Sequence, residues 1–150
     1  MSDLEIRPAT VGDLSEIVAM LADDPLGAGR ESPDDLTPYR AAFQRLADDP
    51  NQRLMVAVRA DRVVGTLQLT VVPGLSRRGS TRSVVEVVRV HTDERGSGLG
   101  TRLIQWAVDE SRRQNCQLVQ LTSDATRTDA HRFYERLGFV ASHVGFKLAL

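Results

Sequence analysis

The segment "SVVEVVRVHTDERGSGLGTRLIQWAVDESRRQNCQLVQLTSD" limits the fold more than any other part of the chain. It opens with a valine-rich run that fits a strand and passes Gly96, Gly98 and Gly100. Leu99, Leu103, Trp106 and Ala107 then keep helical spacing, and "CQLVQL" reads as a second, buried strand. Strand, crossover helix and strand predict a parallel pair, because only such a return brings a parallel neighbour alongside. The glycines stand where the backbone N–H groups of a helix start converge. An anion, a phosphate above all, is the expected guest there.

The kind of phosphate is narrowed by what the loop lacks. A dinucleotide fingerprint needs its glycines on an early strand-helix-strand unit, followed by an acid at the end of the next strand. Here the unit comes late, with the spacing Gly96, Gly98, Gly100. A Walker loop needs Gly-Lys followed by Ser or Thr. The chain's only lysine is Lys147, far from the loop. Backbone N–H groups and Arg95 remain as ligands for a pyrophosphate, beside the plain alternative of a glycine turn with no ligand.

The remaining elements surround this unit. "LEIRPAT" predicts a strand, and "TVGDLSEIVAML" a helix capped by Thr10 with Asp13, its apolar face made of Val11, Leu14, Ile17, Val18 and Leu21. "ADDPLGAGRE" predicts a loop. Ser32, Pro33 and Asp35 predict the start of a second helix with the stripe Leu36, Tyr39, Phe43 and Leu46. "RLMVAVRADRVVGTLQLTVV" reads as two strands around "RADR", and the basic loop "PGLSRRGSTR" leads into the third strand of an antiparallel meander. "DAHRFYERLGF" predicts the last helix, stopped by Gly138, and "FVASHVGFKLAL" a final strand.

Composition excludes several classes. A formal net charge of −1 with 26% charged residues leaves no footprint for nucleic acid. No apolar run has the length of a membrane span, and "MSDLEIRPAT" carries acids where a secretion signal carries bases, so a cytoplasmic protein is expected. The single Cys116 excludes an internal disulfide and predicts a structural thiol. His91, His131 and His143 lack metal-ligand spacing, so no metal is expected. One domain, residues 1–150, is expected from the length.

Arg95, Gly98 and Gly100 match the loop signature of the GCN5-related N-acetyltransferase (GNAT) family, and Gly96 is the residue the family commonly has next. Residues 84–140 resemble that family in motif detail, and the whole chain resembles it in element order. The resemblance implies an α/β (α+β) fold with a mixed central sheet of about six or seven strands, flanked by about four helices. It implies an antiparallel N-terminal meander and a splayed parallel pair, Val84 to His91 and Cys116 to Ser123. The ends of the chain, "IRPAT" at the start and "DAHRFYERLGF" with "SHVGFKLAL" towards the end, are similar to aminoalkylphosphonate N-acetyltransferases and to many uncharacterised relatives.

The same resemblance implies a function. Acetyl-CoA is the expected cosubstrate and a small-molecule primary amine the expected acceptor, with direct transfer between them. Val88, Arg89 and Val90 would line the CoA arm, and the backbone of Arg95, Gly96, Ser97 and Gly98, continuing into Leu99, Gly100 and Thr101, would hold the pyrophosphate. Arg127 stands where many relatives have an asparagine on the CoA arm. A homodimer is the expected assembly. The alternative function is a noncatalytic acyl-CoA-binding regulator or interaction protein of the same fold.

An alkylammonium with a pKa of roughly 10 is neutral in about one molecule per thousand at pH 7, so a base is needed. Glu86 interrupts an apolar run nine residues before Arg95, where several family members keep a glutamate base, and burial there would raise its pKa. A solvated strand face or a structural ion pair is its other reading. His91 competes as a base, but simple alternation puts it and Arg89 on the opposite side of the strand from Glu86 unless a bulge intervenes, so a capping role fits it better. Tyr134 matches the family tyrosine that protonates the departing thiolate, and it also completes a core stripe with Ala130, Phe133 and Leu137. Asp23, Asp24, Glu31, Asp34 and Asp35 in one loop, with Arg77, Arg78 and Arg82 in another, suit a zwitterionic amine.

Overall fold

The computed structural model describes residues 3–150 and divides them into two units, one running to Gln120 and one from Leu121 to Leu150. The strands β1 (Leu4–Pro8), β2 (Gln52–Arg59), β3 (Arg62–Val72), β4 (Thr81–Val90) and β5 (Cys116–Leu121) lie in one sheet in chain order. β1 to β4 pair antiparallel. The helix α4 (Leu99–Arg113) returns the chain from β4 to its neighbour β5, and the sheet is mixed. The meander and crossover are as expected, but the sheet has five strands among the described residues. Residues 139–150, expected as a strand, carry no ladder in this chain.

The helical segments besides α4 are α1 (Leu14–Ala22), α2 (Thr37–Ala47), the four-residue turn α3 (Ser76–Gly79) and α5 (Thr128–Arg136). Thr10 and Asp13 form the expected capping box, but Val11 belongs to a single 3-10 turn before α1 and stays 57% exposed, outside the apolar face. α2 starts later than Ser32 and Pro33 suggest. Those residues make a turn, with Ser32 Oγ donating to Asp35 O at 3.0 Å. Asp35 Oδ1 then accepts from Thr37 N at 3.1 Å, and a second proline, Pro38, occupies the first turn. The stripe of Leu36, Tyr39, Phe43 and Leu46 is half-buried as expected.

One face of the sheet packs Val56 and Val63 with Leu14, Ile17 and Met20 of α1, and Phe43 and Leu54 lie against that cluster. The other face meets α4. There a Cβ on Gly65 would stand 3.1 Å from Leu103 Cδ1 and 3.3 Å from Leu99 Cδ2, so glycine permits the helix its close approach. The far end of α4 is fixed by polar contacts. Ser111 Oγ donates to Ala107 O at 2.7 Å, and Ser83 Oγ lies 2.6 Å from Ser111 Oγ in a buried pair. Arg53 Nε donates to Glu110 Oε2 at 2.9 Å. α4 is therefore held against β2 and β4, with its N-terminus presenting the glycine loop.

The capping box yields a stability prediction. Arg7 donates to both oxygens of buried Asp13, at 2.8 and 3.1 Å, and Thr10 N donates to Asp13 Oδ2 at 2.7 Å. The Arg7 hydrogen bonds hold the Asp13 carboxyl below the usual aspartate range against the opposing effect of burial. A depressed folded pKa stabilises above the unfolded value, about 3.9, and that stabilisation is lost as pH falls through the folded value. Asp13→Asn is expected to cost about 2 kcal/mol at pH 7. It should cost progressively less as the parent is acidified below pH 4, measured by urea unfolding across pH.

Candidate active site

The glycine loop leaves β4 at His91, whose Nδ1 accepts from Asp93 N at 3.1 Å and caps the turn Thr92–Glu94, as expected of it. Gly96 (φ +81) and Gly98 (φ +85) then take left-handed conformations, and Gly98 is the N-cap of α4. The first intrahelical bond joins Arg102 N to Gly98 O at 3.1 Å. The N–H groups of Leu99, Gly100 and Thr101 thus precede the helical ladder, and no side chain caps them. An added Cβ at Gly96 or Gly98 would meet nothing within 4 Å, so there is open space beside both residues. Glu94 Oε1 accepts from Arg59 Nε at 3.2 Å and from Ser97 Oγ at 3.3 Å, tying the loop to β2. Arg95 is exposed.

β4 carries a bulge beside Glu86. Gln68 faces Glu86 and Thr66 faces Arg89, so Val87 and Val88 together oppose Leu67. Val87 has φ +60, a left-handed value that costs a β-branched residue on the order of 1–3 kcal/mol and tends to persist at functional sites. The extra residue overturns the expected parity. Glu86 and Arg89 project from the same face as Gln68 and Thr66, and continued alternation puts His91 there too. Burial of Glu86 was expected, but it is exposed. A polar row runs up to it: Gln68 Nε2 and Thr70 Oγ1 donate to Gln52 Oε1 at 3.1 and 2.9 Å. The alternation "TLQLT" already carried this signal, and Gln68 is the neighbour that sequence reasoning missed.

Arg89 reaches the loop between α1 and α2. Its Nη1 donates to Val88 O at 2.9 Å, while Nε is 3.2 Å from Asp24 Oδ2, at ion-pair distance but outside hydrogen-bond geometry. Asp24 Oδ1 in turn accepts from Gly27 N at 2.6 Å. Glu31 Oε1 accepts from Tyr39 OH at 2.8 Å, and Asp35 caps Thr37. Several acids expected to meet an ammonium therefore shape the loop instead, leaving Asp23 and Asp34 exposed. A cavity of about 470 Å³ lined by Glu16, Asp23, Arg62 and His91 lies at this side of the first unit and includes neither Glu86 nor the glycines. On the other loop Arg77 (φ 53) and Arg78 (φ 62) form a left-handed turn, exposed like Arg82.

The second unit holds α5. Arg127 is its exposed N-cap, with N–H donating to Asp124 O at 3.0 Å and O accepting from His131 N at 3.1 Å. Tyr134 is half-buried, packed edge to face on Phe133 at 5.1 Å and Phe139 at 5.9 Å. The expected stripe of Ala130, Phe133, Tyr134 and Leu137 is half-buried, but no residue of α5 is fully buried. In the first unit Cys116 is half-buried at the start of β5, and burial pushes its thiol up, away from the reactive range. Among the described residues no group of His, Cys, Asp and Glu could hold a metal ion, and no helix is long and apolar enough to cross a membrane.

Comparison with known proteins adds independent findings. The family described as acetyltransferase (GNAT) matches residues 15–139. Aminoalkylphosphonate N-acetyltransferase of Salmonella typhimurium is 32% identical over 146 residues, spanning 97% of this chain and 91% of that protein. Glucosamine 6-phosphate N-acetyltransferase of Trypanosoma brucei brucei is 30% identical over 151 residues, spanning 99% and 97%. A crystal structure from Bacillus halodurans C-125, described as a transcriptional regulator, matches with a TM-score of 0.95 at 45% identity, covering 98% of this chain and 99% of that one.

Proposed function

This chain belongs to the acetyltransferase (GNAT) family and is an N-acetyltransferase, and we propose that it acetylates a small primary amine bearing an anionic group, with acetyl-CoA as donor, by direct transfer. The observation that carries the donor is the uncapped helix start. Three N–H groups, of Leu99, Gly100 and Thr101, next to left-handed glycines with open space beside them, suit a pyrophosphate. Arg95 adds charge, Val88 to Val90 offer backbone for the CoA arm, and Arg127 offers a guanidinium for it. Acetyl-CoA supplies an acetyl group as a thioester, open to attack by an amine.

The chain's own residues then handle protons. Glu86, exposed beside the bulge, takes the proton that makes the acceptor a nucleophile, directly or through water. Tyr134, a phenol, is the donor for the leaving thiolate. Residues 1–150 act as one domain, a reading supported by a family match that runs through both units. The anionic group is supported by the relatives' substrates, since an aminoalkylphosphonate and glucosamine 6-phosphate both join an amine to a phosphorus oxyanion. Exposed Arg77, Arg78 and Arg82 suit such a group.

The test is thiol release from acetyl-CoA against aminoalkylphosphonates, amino sugar phosphates, neutral amines and lysine peptides. Turnover should be greatest with the first two. Arg77→Ala with Arg78→Ala should raise KM for an anionic amine at least tenfold and leave a neutral amine nearly unchanged. Equal effects on both would remove the anion from the proposal. The relative described as a transcriptional regulator is the observation on the side of a noncatalytic reading. No thiol release with any of these amines, joined to DNA binding that responds to acetyl-CoA, would favour it.

A further inference from the structure

We propose that Arg59 is a positioning residue for the acetyl donor: through Glu94 it holds the glycine loop in its anion-binding form and cancels a carboxylate that would repel the donor's pyrophosphate. The inference deepens the reading of that loop as the pyrophosphate site and rests on it. Its starting point is the hairpin "RADR". β2 ends at Arg59 and β3 begins at Arg62, with Ala60 (φ 50) and Asp61 (φ 63) both left-handed between them. Two left-handed central residues make the tight turn that matches the twist of the strands. That turn fixes Arg59 opposite Arg62, where two like charges gain nothing from each other. Arg59 finds its acid elsewhere. Its Nε donates to Glu94 Oε1 at 3.2 Å, and the two side chains are only 22% and 16% exposed.

Glu94 is the inward residue of the loop. Thr92, Asp93 and the run from Arg95 to Gly98 are exposed, whereas Glu94 is half-buried. Its N–H donates to His91 O at 2.9 Å, and its carbonyl accepts from Ser97 N at 3.1 Å. Its Oε1 also accepts from Ser97 Oγ at 3.3 Å. These bonds close the turn that carries left-handed Gly96 and delivers Gly98 to the N-cap of α4. Arg59 therefore ties a hairpin 35 residues earlier in the chain to the turn that shapes the helix start.

The sign of the charge makes this pair more than a strut. The uncapped N–H groups at the start of α4 favour an anion, while a carboxylate in contact with Ser97 of the same loop opposes one. Beside the guanidinium, Glu94 keeps its hold on the loop and its charge is offset. Without the guanidinium it becomes a partly buried, uncompensated negative charge next to the anion site. Removing Arg59 should thus harm donor binding more than neutralising Glu94 does, and doing both should mend what the first change broke. Lost packing predicts the reverse, because a second deletion then adds to the first.

The test is a double-mutant cycle on the full chain, read by calorimetric titration with acetyl-CoA beside thermal melting. Arg59→Ala should weaken binding roughly tenfold or more at low salt. Glu94→Gln, which keeps an acceptor oxygen for Ser97, should stay within roughly threefold of the parent, and the double variant should return to about that level. The Arg59→Ala deficit should shrink as salt screens the unpaired carboxylate, and KM for the amine should hardly move. Arg59→Lys, which keeps the charge, should recover most of the affinity. Should Arg59→Ala not fold, Arg59→Gln takes its place, since it loses the charge but retains a donor. Parent-like binding in the Arg59 variant overturns the proposal, as does a double variant no better than that single one, or a deficit indifferent to salt. Gly98→Asn tells this failure from that of the loop assignment. If Gly98→Asn loses acetyl-CoA while Arg59→Ala binds it normally, only the role of Arg59 falls; if both bind normally, the loop assignment falls with it.

Discussion

Gly98→Val is expected to weaken acetyl-CoA binding a hundredfold or more, about 2.7 kcal/mol, while the sheet and its helices still form. Two effects combine at this residue. Gly98 has φ +85, a left-handed value that a β-branched side chain resists, so some loss of stability accompanies the substitution. Its Cβ would meet no protein atom within 4 Å, so the isopropyl group meets no clash and occupies open space at the N-cap of α4. That is the space proposed for the pyrophosphate. Gly98→Asn separates the two effects, because asparagine tolerates the left-handed backbone yet still fills the space. Calorimetric titration with acetyl-CoA, read beside thermal melting of both variants, should show binding lost in each and stability lost mainly in the valine chain. Parent-like affinity in both takes the phosphate away from this loop.

What could be read from the sequence was local, and what could not depended on distant partners. The capping box of Thr10 and Asp13 lies within four residues, and its pattern was sufficient; the Arg7 bonds that strengthen it come from the neighbouring strand. The glycine loop and the apolar face of α4 were legible for the same reason. The start of α2 was misplaced because two proline signals compete, and Tyr39 OH, which accepts from Ser32 N at 2.8 Å, draws Ser32 into a turn. The bulge at Val87 is a property of the pairing between β3 and β4, invisible in either strand alone, and it reverses the face of Arg89 and His91 relative to Glu86. Asp24 was expected to meet an ammonium, and the fold brings Arg89 beside it instead. The strand pattern of residues 139–150 was legible too, but no ladder within the chain receives it.

Glu86→Gln is expected to lower kcat/KM by roughly a hundredfold or more at pH 7, the usual size of a general-base effect. Glutamine keeps the shape and the place opposite Gln68 but cannot take a proton. The deficit should shrink as pH rises toward the amine's pKa of roughly 10, because solvent then supplies the neutral amine that the carboxylate otherwise generates. A structural role predicts something else. Glu86 is exposed on the strand surface, so a lost packing or ion-pair contact would give a small deficit indifferent to pH. His91, which the bulge returns to the face of Glu86, supplies the control, since His91→Gln should leave the pH profile unchanged if Glu86 is the base. Tyr134→Phe keeps the edge-to-face packing with Phe133 and Phe139 and removes only the hydroxyl. It should therefore lower kcat while acetyl-CoA affinity stays near the parent's. Unchanged turnover in Glu86→Gln would move the base role to water or His91, and unchanged kcat in Tyr134→Phe would leave that ring a packing residue alone.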